Sequence, residues 1–358
     1  MLRGLNVTDI PDDYRVRCTT LRSIGSEAPM GPGNIAVVWM PSRRHWPGIA
    51  MRSVLAAMAI MVGFGCSAAA GETPLTELVA ACDQAAANPF DNARPAGVPG
   101  VSFEKIVPET AIAACEEAAT AAPDDARIAM QLGRAYEAAK NPDAARIQYI
   151  EAYQRGNAQA AANLALLYLN GRGVPKDDAE AVRLSRIAAD QGNAQGQNGL
   201  GYLLEQGRGG PRNEMEAARL FRLSADQGYP PAQNNLGRLY QTGGGGLPKD
   251  DREAVRLFKL SADRGDAIAQ ANLGLAYLGG LGGLLKDERE AVRLFKLSAD
   301  KGNARGQVNL GLAYERALGG LPKDEREAVR LYKLAADQGN AAAQNQLARM
   351  NGAPPAPK

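Results

Sequence analysis

The chain has 358 residues, and its 41 basic and 39 acidic side chains nearly balance. Nucleic acid is not an expected partner, because the sequence described below predicts export. It has one histidine and four cysteines, so it carries little of the material that imidazole catalysis or a zinc site requires. This length would suggest two or three globular domains, but the internal repeats described below predict a stacked array instead.

The first 70 residues form two different stretches. Residues 1–50 show no periodicity and contain the only histidine and both tryptophans. From Met51 the sequence is typical of a secretory signal peptide: it has a basic residue, an apolar run of twelve residues and a small-residue motif, AAA. The apolar run is shorter than the roughly 20 residues of a membrane span. We therefore expect residues 1–50 to be a gene-start artefact or disordered, and residues 51–70 to direct export to the periplasm or the medium.

Cys66 leaves an alternative open, because a lipoprotein signal also ends at a cysteine. Such signals have a leucine-like residue three positions earlier, where this chain has Gly63, so cleavage after Ala70 is preferred over lipidation. Residues 1–70 hold seven basic and four acidic residues, which leaves 34 and 35 and a net charge of −1 for the exported chain. We predict no transmembrane segment in that chain.

Residues 71–124 predict a helical pair, TELVAACDQAAA and PETAIAACEEAATAA, joined by a Pro/Gly-rich link. Each helix carries one of the two remaining cysteines, Cys82 and Cys115. In an oxidising compartment such a pair is most simply a disulfide, and closing a loop of about 33 residues would contribute roughly 3 kcal/mol. A zinc or redox site is the alternative, but the chain has no CxxC motif.

A 15-residue stretch, KDEREAVRLFKLSAD, recurs through the rest of the chain. Successive copies are 36, 37, 37 and 37 residues apart, and they begin at Lys176, Arg212, Lys249, Lys286 and Lys323. A fixed period of this size predicts stacked repeats. The copies define five units over residues 156–338, followed by a terminal helix over 339–351 and a disordered, Pro-rich tail over 352–358.

Each unit predicts two helices, A and B. A glycine followed by Asn or Asp opens helix A, as at Gly265–Asp266, and a Leu-Gly-x-x-Tyr pattern lies within it. Gly274 in this pattern costs about 1 kcal/mol of helix propensity relative to alanine, which predicts a neighbouring helix in close contact. Helix B follows a Gly-rich loop and begins with a capping box, as at Asp287/Glu290.

The pattern Ala-x-x-Asn-Leu-Gly-x-x-Tyr, Gly-rich loop, Lys-Asp-x-x-Glu-Ala, Ser/Ala-Ala-Asp-x-Gly resembles the Sel1-like repeat family, a branch of the tetratricopeptide-like α-solenoids. The resemblance covers residues 156–351, and residues 125–155 resemble a tetratricopeptide unit with a short turn. It implies an all-α, right-handed α-solenoid that acts as a protein-interaction scaffold. Some bacterial members carry a cysteine pair in every repeat, whereas these repeats have none.

Helix A supplies the first candidate surface. Positions two residues before and two after the core leucine point away from the core, and the resemblance implies that A helices line the concave side. We expect a protein or peptide to bind there. The alternative is that these side chains only pack against neighbouring A helices. The candidate contacts are Leu166, Asn198, Tyr202, Asn234, Arg238, Leu275 and Leu312.

Helix B supplies the second candidate surface, a basic ladder opposite its apolar face. It would bind an anionic envelope polysaccharide or a membrane surface; the alternative is a solvated face paired with nearby carboxylates. Its residues are Arg252, Arg256, Lys259, Arg289, Arg293, Lys296, Arg326, Arg330 and Lys333.

Catalytic motifs are weaker than they first look. Ser298 and Lys301 match Ser-x-x-Lys, but the same site reads SADR and SADQ in other units, so it is a repeat position. The Gly-rich loops lack phosphate-loop spacing and join two helices without a preceding strand. The acidic residues recur as helix caps, whereas a catalytic pair should occur once. We predict no enzyme activity, catalytic residue, metal site or cofactor.

Overall fold

The structure is a computed structural model that describes residues 73–91 and 93–350. The predictions for residues 1–50, the signal peptide, Cys66 and the C-terminal tail lie outside the described residues.

The described residues contain fifteen α-helices and no strand, which confirms the all-α prediction. The helices, numbered α1 to α15, span Leu75–Ala86, Pro108–Ala121, Ala126–Ala138, Pro142–Gln154, Ala158–Asn170, Asp178–Asp190, Ala194–Gln206, Glu214–Asp226, Pro230–Thr242, Asp251–Asp263, Ala267–Gly279, Glu288–Asp300, Ala304–Arg316, Glu325–Asp337 and Ala341–Met350.

Consecutive helices pack against each other along the whole series, so the fold is the predicted α-solenoid. In the five repeats the odd-numbered helices α5–α13 are the A helices and the even-numbered helices α6–α14 are the B helices. α5 packs on α7, α9 on α11 and α11 on α13, whereas successive B helices of the described repeats make no comparable contact. The A helices therefore form the more closely packed layer, as expected for the concave side of an α-solenoid, and we call their exposed face the concave face.

The start of helix A forms as its sequence predicts. Gly265 adopts φ +87°, a left-handed conformation that suits glycine and ends the preceding helix. The Asp266 side chain then accepts a hydrogen bond from the backbone N–H of Ala269, 2.7 Å away. The third repeat is the exception: Tyr229 provides no side-chain cap, and Pro230 begins the helix instead.

The capping box predicted for helix B is only half formed. The Asp287 carboxylate accepts from the backbone N–H of Glu290 at 3.0 Å, as expected. The backbone N–H of Asp287 donates to the carbonyl of Tyr277 at the end of helix A, so the Glu290 side chain is not needed there. That carboxylate accepts instead from Arg293, one turn further along helix B.

The glycine of helix A marks the closest approach of two helices, as predicted. A Cβ atom on Gly274 would lie 2.5 Å from Cε1 of Phe295, and Phe295 is almost completely buried. The other repeats place the same contact between a helix A glycine and the aromatic ring of helix B, except the first, which has Ala165 in place of the glycine and Ser185 in place of the ring. The repeat core is therefore an aromatic ring lying on bare backbone.

The N-terminal pair extends the stack by one unit. Cys82 of α1 and Cys115 of α2 are joined by a disulfide, with their Cα atoms 4.6 Å apart. Arg134 of α3 donates to the carbonyl of Val101 in the α1–α2 loop at 2.9 Å. In the same loop Phe90 meets Tyr229 edge-to-face, with ring centroids 5.0 Å apart, so the loop reaches the start of α9.

Candidate functional site

The exposed candidate contacts on helix A form one row along the concave side. Each lies two residues after the core leucine of its helix, and α5, α7, α9, α11 and α13 contribute one each. Three of them are large apolar or aromatic side chains left 38–41% exposed. Arg238 and Leu312 are half-buried. We call this set the A-helix row: Leu166, Tyr202, Arg238, Leu275 and Leu312.

The candidate positions two residues before the core leucine are not free surface. Asn234 is buried, and its Oδ1 accepts from Nδ2 of Asn272 on the next A helix at 2.8 Å. Asn198 is half-buried and accepts from Nδ2 of Asn235 at 2.9 Å. The prediction that Asn234 contacts a partner is therefore wrong, because neighbouring A helices approach closely enough to bond through these amides.

Arg238 is the one charged member of the A-helix row, and it is already paired. Its Nη2 lies 2.6 Å from Oε2 of Glu205 on the preceding A helix, and the Glu205 carboxylate is buried. The pair spans two repeats and leaves the middle of the row without net charge. An apolar partner segment fits this part of the row better than a charged one.

The predicted basic ladder on helix B is interrupted in every repeat. Arg256, Arg293 and Arg330 each bind the glutamate three residues earlier at 2.6–2.7 Å. The hydrogen bond from Arg330 lowers the pKa of the Glu327 carboxyl, since it favours the ionised form. The other six residues are exposed and, among the described residues, form no ion pair: Arg252, Lys259, Arg289, Lys296, Arg326 and Lys333.

Helix B also carries an exposed apolar series that the sequence reading missed. Leu223, Leu260, Leu297 and Leu334 are 37–40% exposed and occupy the same position in four successive repeats. The signal was available, since this position is Leu or Ile in all five copies, but the apolar face was assigned to the residues that pack on helix A. We call these four residues the B-helix leucines.

The Ser-x-x-Lys match has a structural explanation. Ser298 is buried and its hydroxyl donates to the carbonyl of Ala267 at 2.6 Å, while the Lys301 ammonium donates to the carbonyl of Gly265. Both side chains hold helix ends together. Residues 73–91 and 93–350 contain no cluster of His, Cys, Asp or Glu suited to a metal ion. They also contain no helix with the length and apolar character needed to cross a membrane.

Comparison with known proteins agrees with the repeat register. The Sel1 repeat model matches five successive segments, residues 158–193, 194–229, 230–266, 267–303 and 304–340. Together these segments make up just over half of the chain. No curated protein matches the chain.

The chain is also similar to solved structures, and the first of those described here supports the same fold. A Sel1 repeat protein from Oxalobacter formigenes is 32% identical over 62% of this chain and 86% of its own, with a TM-score of 0.50. The protein c5321, a protective antigen of uropathogenic Escherichia coli with an SLR fold, is 28% identical; the match covers 70% of this chain and 52% of that protein, with a TM-score of 0.48. The immunity protein Pa5087 from Pseudomonas aeruginosa is 24% identical over 54% of this chain and 73% of its own, with a TM-score of 0.39.

Proposed function

The chain belongs to the Sel1 repeat family, and we propose that it is an exported scaffold that binds a protein or peptide partner along the A-helix row. Proteins of this family generally act as protein-interaction scaffolds and are typically not enzymes. The observation that carries the proposal is the exposure of Leu166, Tyr202 and Leu275 on the concave side. Tyrosine is among the residue types that contribute most to binding at the centre of an interface, and the two leucines add apolar area beside it.

The arrangement of the row supports a segment rather than a globular partner. Successive A helices lie close enough to bond through their amides, so the row is continuous from repeat to repeat. A continuous concave row suits an extended peptide or a single helix, which can contact several repeats at once.

The B-helix leucines provide a matched test of which face binds. We expect Tyr202→Ala/Leu275→Ala to recover at least tenfold less of the partner in crosslinked capture from a periplasmic extract, since truncating a hot-spot residue costs about 2 kcal/mol or more and 1.4 kcal/mol corresponds to about tenfold in affinity. The control variant Leu260→Ala/Leu297→Ala removes leucines of similar exposure from the other face and should leave recovery unchanged. Equal recovery with all three proteins, or loss with the control alone, would count against the row.

Export is the second part of the proposal, and it is supported by residues 51–70, whose sequence is typical of a signal peptide. The protein recovered from the periplasm or medium should have an intact mass that begins at residue 71. A peptide from upstream of Met51 would contradict the predicted start, and a mass retaining Cys66 with an acyl group would favour the lipoprotein alternative.

A further inference from the structure

The concave face of α13 carries two arginines, whereas the same face of α5, α7 and α11 carries no charged residue. On each A helix this face consists of four positions spaced i, i+4, i+7 and i+11, which lie on one side of a helix. Over α9, α11 and α13 none of these positions is acidic. They are Pro231, Asn235, Arg238, Thr242, Ile268, Asn272, Leu275, Gly279, Arg305, Asn309, Leu312 and Arg316.

Two of the three arginines in this set have no carboxylate partner. Arg238 is neutralised by Glu205, as described above. Arg305 and Arg316 are exposed, and neither forms an ion pair with any described residue. The nearest acid on α13, Glu315, is already bound by Arg349 of α15 at 2.6 Å. This part of the concave face therefore holds uncompensated positive charge.

Arg305 is also held in place. Its Nη1 donates to Oδ1 of Asn272 at 3.0 Å, and Nδ2 of Asn272 donates in turn to Asn234 at 2.8 Å. Asn272 and Asn234 are both buried, so this relay across three A helices fixes the position of the guanidinium. A pre-organised cation loses less entropy on binding an anion than a free one.

The two guanidinium groups flank an apolar patch. Arg305 and Arg316 are eleven residues apart on α13, about 16 Å along the axis, and Leu312 lies between them. Leu275 and Ile268 of α11 lie beside it and are 41% and 43% exposed. Between Arg305 and Leu312, the enclosed Nδ2 of Asn309 has no acceptor. The surface thus offers two exposed guanidinium groups and apolar area but no unpaired carboxylate.

This stretch is also the more exposed part of the face. At the second residue of helix A, Gln159 in the first repeat is completely buried, whereas Ile268 and Arg305 in the fourth and fifth repeats are exposed. Gln159 also forms hydrogen bonds with Asn163, Gln195 and Asn193. An incoming segment therefore has most access at α11 and α13.

We propose that the concave face of α11 and α13 binds an extended, apolar segment of a partner protein that carries two carboxylates, with Arg305 and Arg316 binding the carboxylates and Leu275 and Leu312 the apolar side chains between them. This inference rests on the proposed function and names its partner chemistry. In an extended strand, carboxylates four residues apart lie on the same side about 13 Å from each other. Two arginine side chains can span the small difference from 16 Å.

The test uses fluorescence anisotropy with two labelled peptides, GLEVLVELG and its glutamine counterpart GLQVLVQLG, and the exported chain. The wild type should bind the acidic peptide about tenfold more tightly than the glutamine peptide at low salt. Arg305→Gln/Arg316→Gln should abolish this preference. Arg289→Gln/Lys296→Gln on α12 removes the same charge from exposed, unpaired cations of helix B and should retain it. Leu275→Ala/Leu312→Ala should weaken binding of both peptides.

The outcomes separate the two proposals. Equal affinity for the two peptides, or loss of preference in the α12 control, overturns the carboxylate proposal. If both peptides still require Leu275 and Leu312, binding along the A-helix row stands without it. Undiminished binding by Leu275→Ala/Leu312→Ala overturns both proposals, and absence of binding by the wild type at 1 mM overturns the inference about partner chemistry.

Discussion

The close approach at Gly274 gives the most exacting test of the packing. In Gly274→Ala the new Cβ atom would lie 2.5 Å from Cε1 of Phe295, 2.8 Å from its Cδ1 and 3.2 Å from the carbonyl oxygen of Ala291. The ring is enclosed by neighbouring side chains and the carbonyl belongs to a helix, so neither can move away freely. The substitution therefore sets a gain in helix propensity against steric overlap.

The expected cost of the steric overlap is larger than the gain in helix propensity. Replacing glycine by alanine inside a helix gains about 1 kcal/mol, whereas overpacking a tight core costs about 1–3 kcal/mol. With contacts below 3.0 Å on a buried ring the cost lies near the upper end, so we expect Gly274→Ala to lower the free energy of unfolding by about 2 kcal/mol. Gly199→Ala is the matched control, since its Cβ would meet only the hydroxyl of Ser185 at 3.3 Å. We expect that variant to be neutral or stabilised by up to about 1 kcal/mol.

Urea unfolding followed by circular dichroism measures the difference, provided that the m-values of the variants agree. Because repeat arrays can unfold in parts, hydrogen exchange at α11 and α12 should locate the loss in the fourth repeat. A double-mutant cycle with Phe295→Leu isolates the contact with the ring. Without the ring, Gly274→Ala should lower the free energy of unfolding by less than about 0.5 kcal/mol. Equal stability of Gly274→Ala and Gly199→Ala, or an unchanged cost in the Phe295→Leu background, would refute the ring-on-backbone explanation.

Three further changes test other contacts. Cys82→Ala/Cys115→Ala should lower the stability of α1–α3 by about 3–4 kcal/mol, seen as faster hydrogen exchange there while α11–α15 keep their protection. Ser261→Ala should cost about 1–2 kcal/mol in urea unfolding, since it removes the donor that lies 2.7 Å from the carbonyl oxygen of Pro230 in a buried site. Burial raises the pKa of the Asp266 carboxyl in the folded chain. The wild type therefore loses stability as the pH rises from the pKa of this carboxyl in the unfolded chain through its higher pKa in the folded chain. Asp266→Asn keeps a cap of the kind found at other repeats and should therefore stabilise the chain more at pH 7 than at pH 3; a constant difference across that range would contradict the shift.

The repeat period made most of the fold predictable. A 37-residue spacing fixes the helix pair, and the residues that end or cap helices are local signals, as Gly265 and Asp266 illustrate. The Leu-Gly pattern even predicted the close approach at Gly274, because a glycine in a helix is costly unless something needs the space. These features depend on neighbours within one repeat, where the sequence contains all the partners.

Two predictions were wrong because another group of the chain forms the hydrogen bond in place of the expected one. Glu290 was expected to cap the backbone of helix B, but the Tyr277 carbonyl takes that N–H and Arg293 takes the carboxylate. One rearrangement therefore removed half of the capping box and one cation of the basic ladder. Asn234 was expected to face a partner, yet the distance between successive A helices leaves room for an amide bond to Asn272. The first outcome depends on the spacing between the two helices of one repeat, and the second depends on the spacing between successive repeats.

The two exposed apolar series differ in a way that bears on specificity. The B-helix leucines repeat with a constant residue every 37 positions, so a partner that fits one of them fits the next equally well and could bind in several registers. The A-helix row changes from Leu to Tyr to Arg and back to Leu, and Arg305 and Arg316 flank its last member, Leu312, on α13. A partner that binds such an aperiodic series has one best register. A shift by one repeat would place an apolar group against Arg238 or a carboxylate against Leu275. Selection of a particular partner is therefore better served by helix A, while the constant segment KDEREAVRLFKLSAD serves the stack.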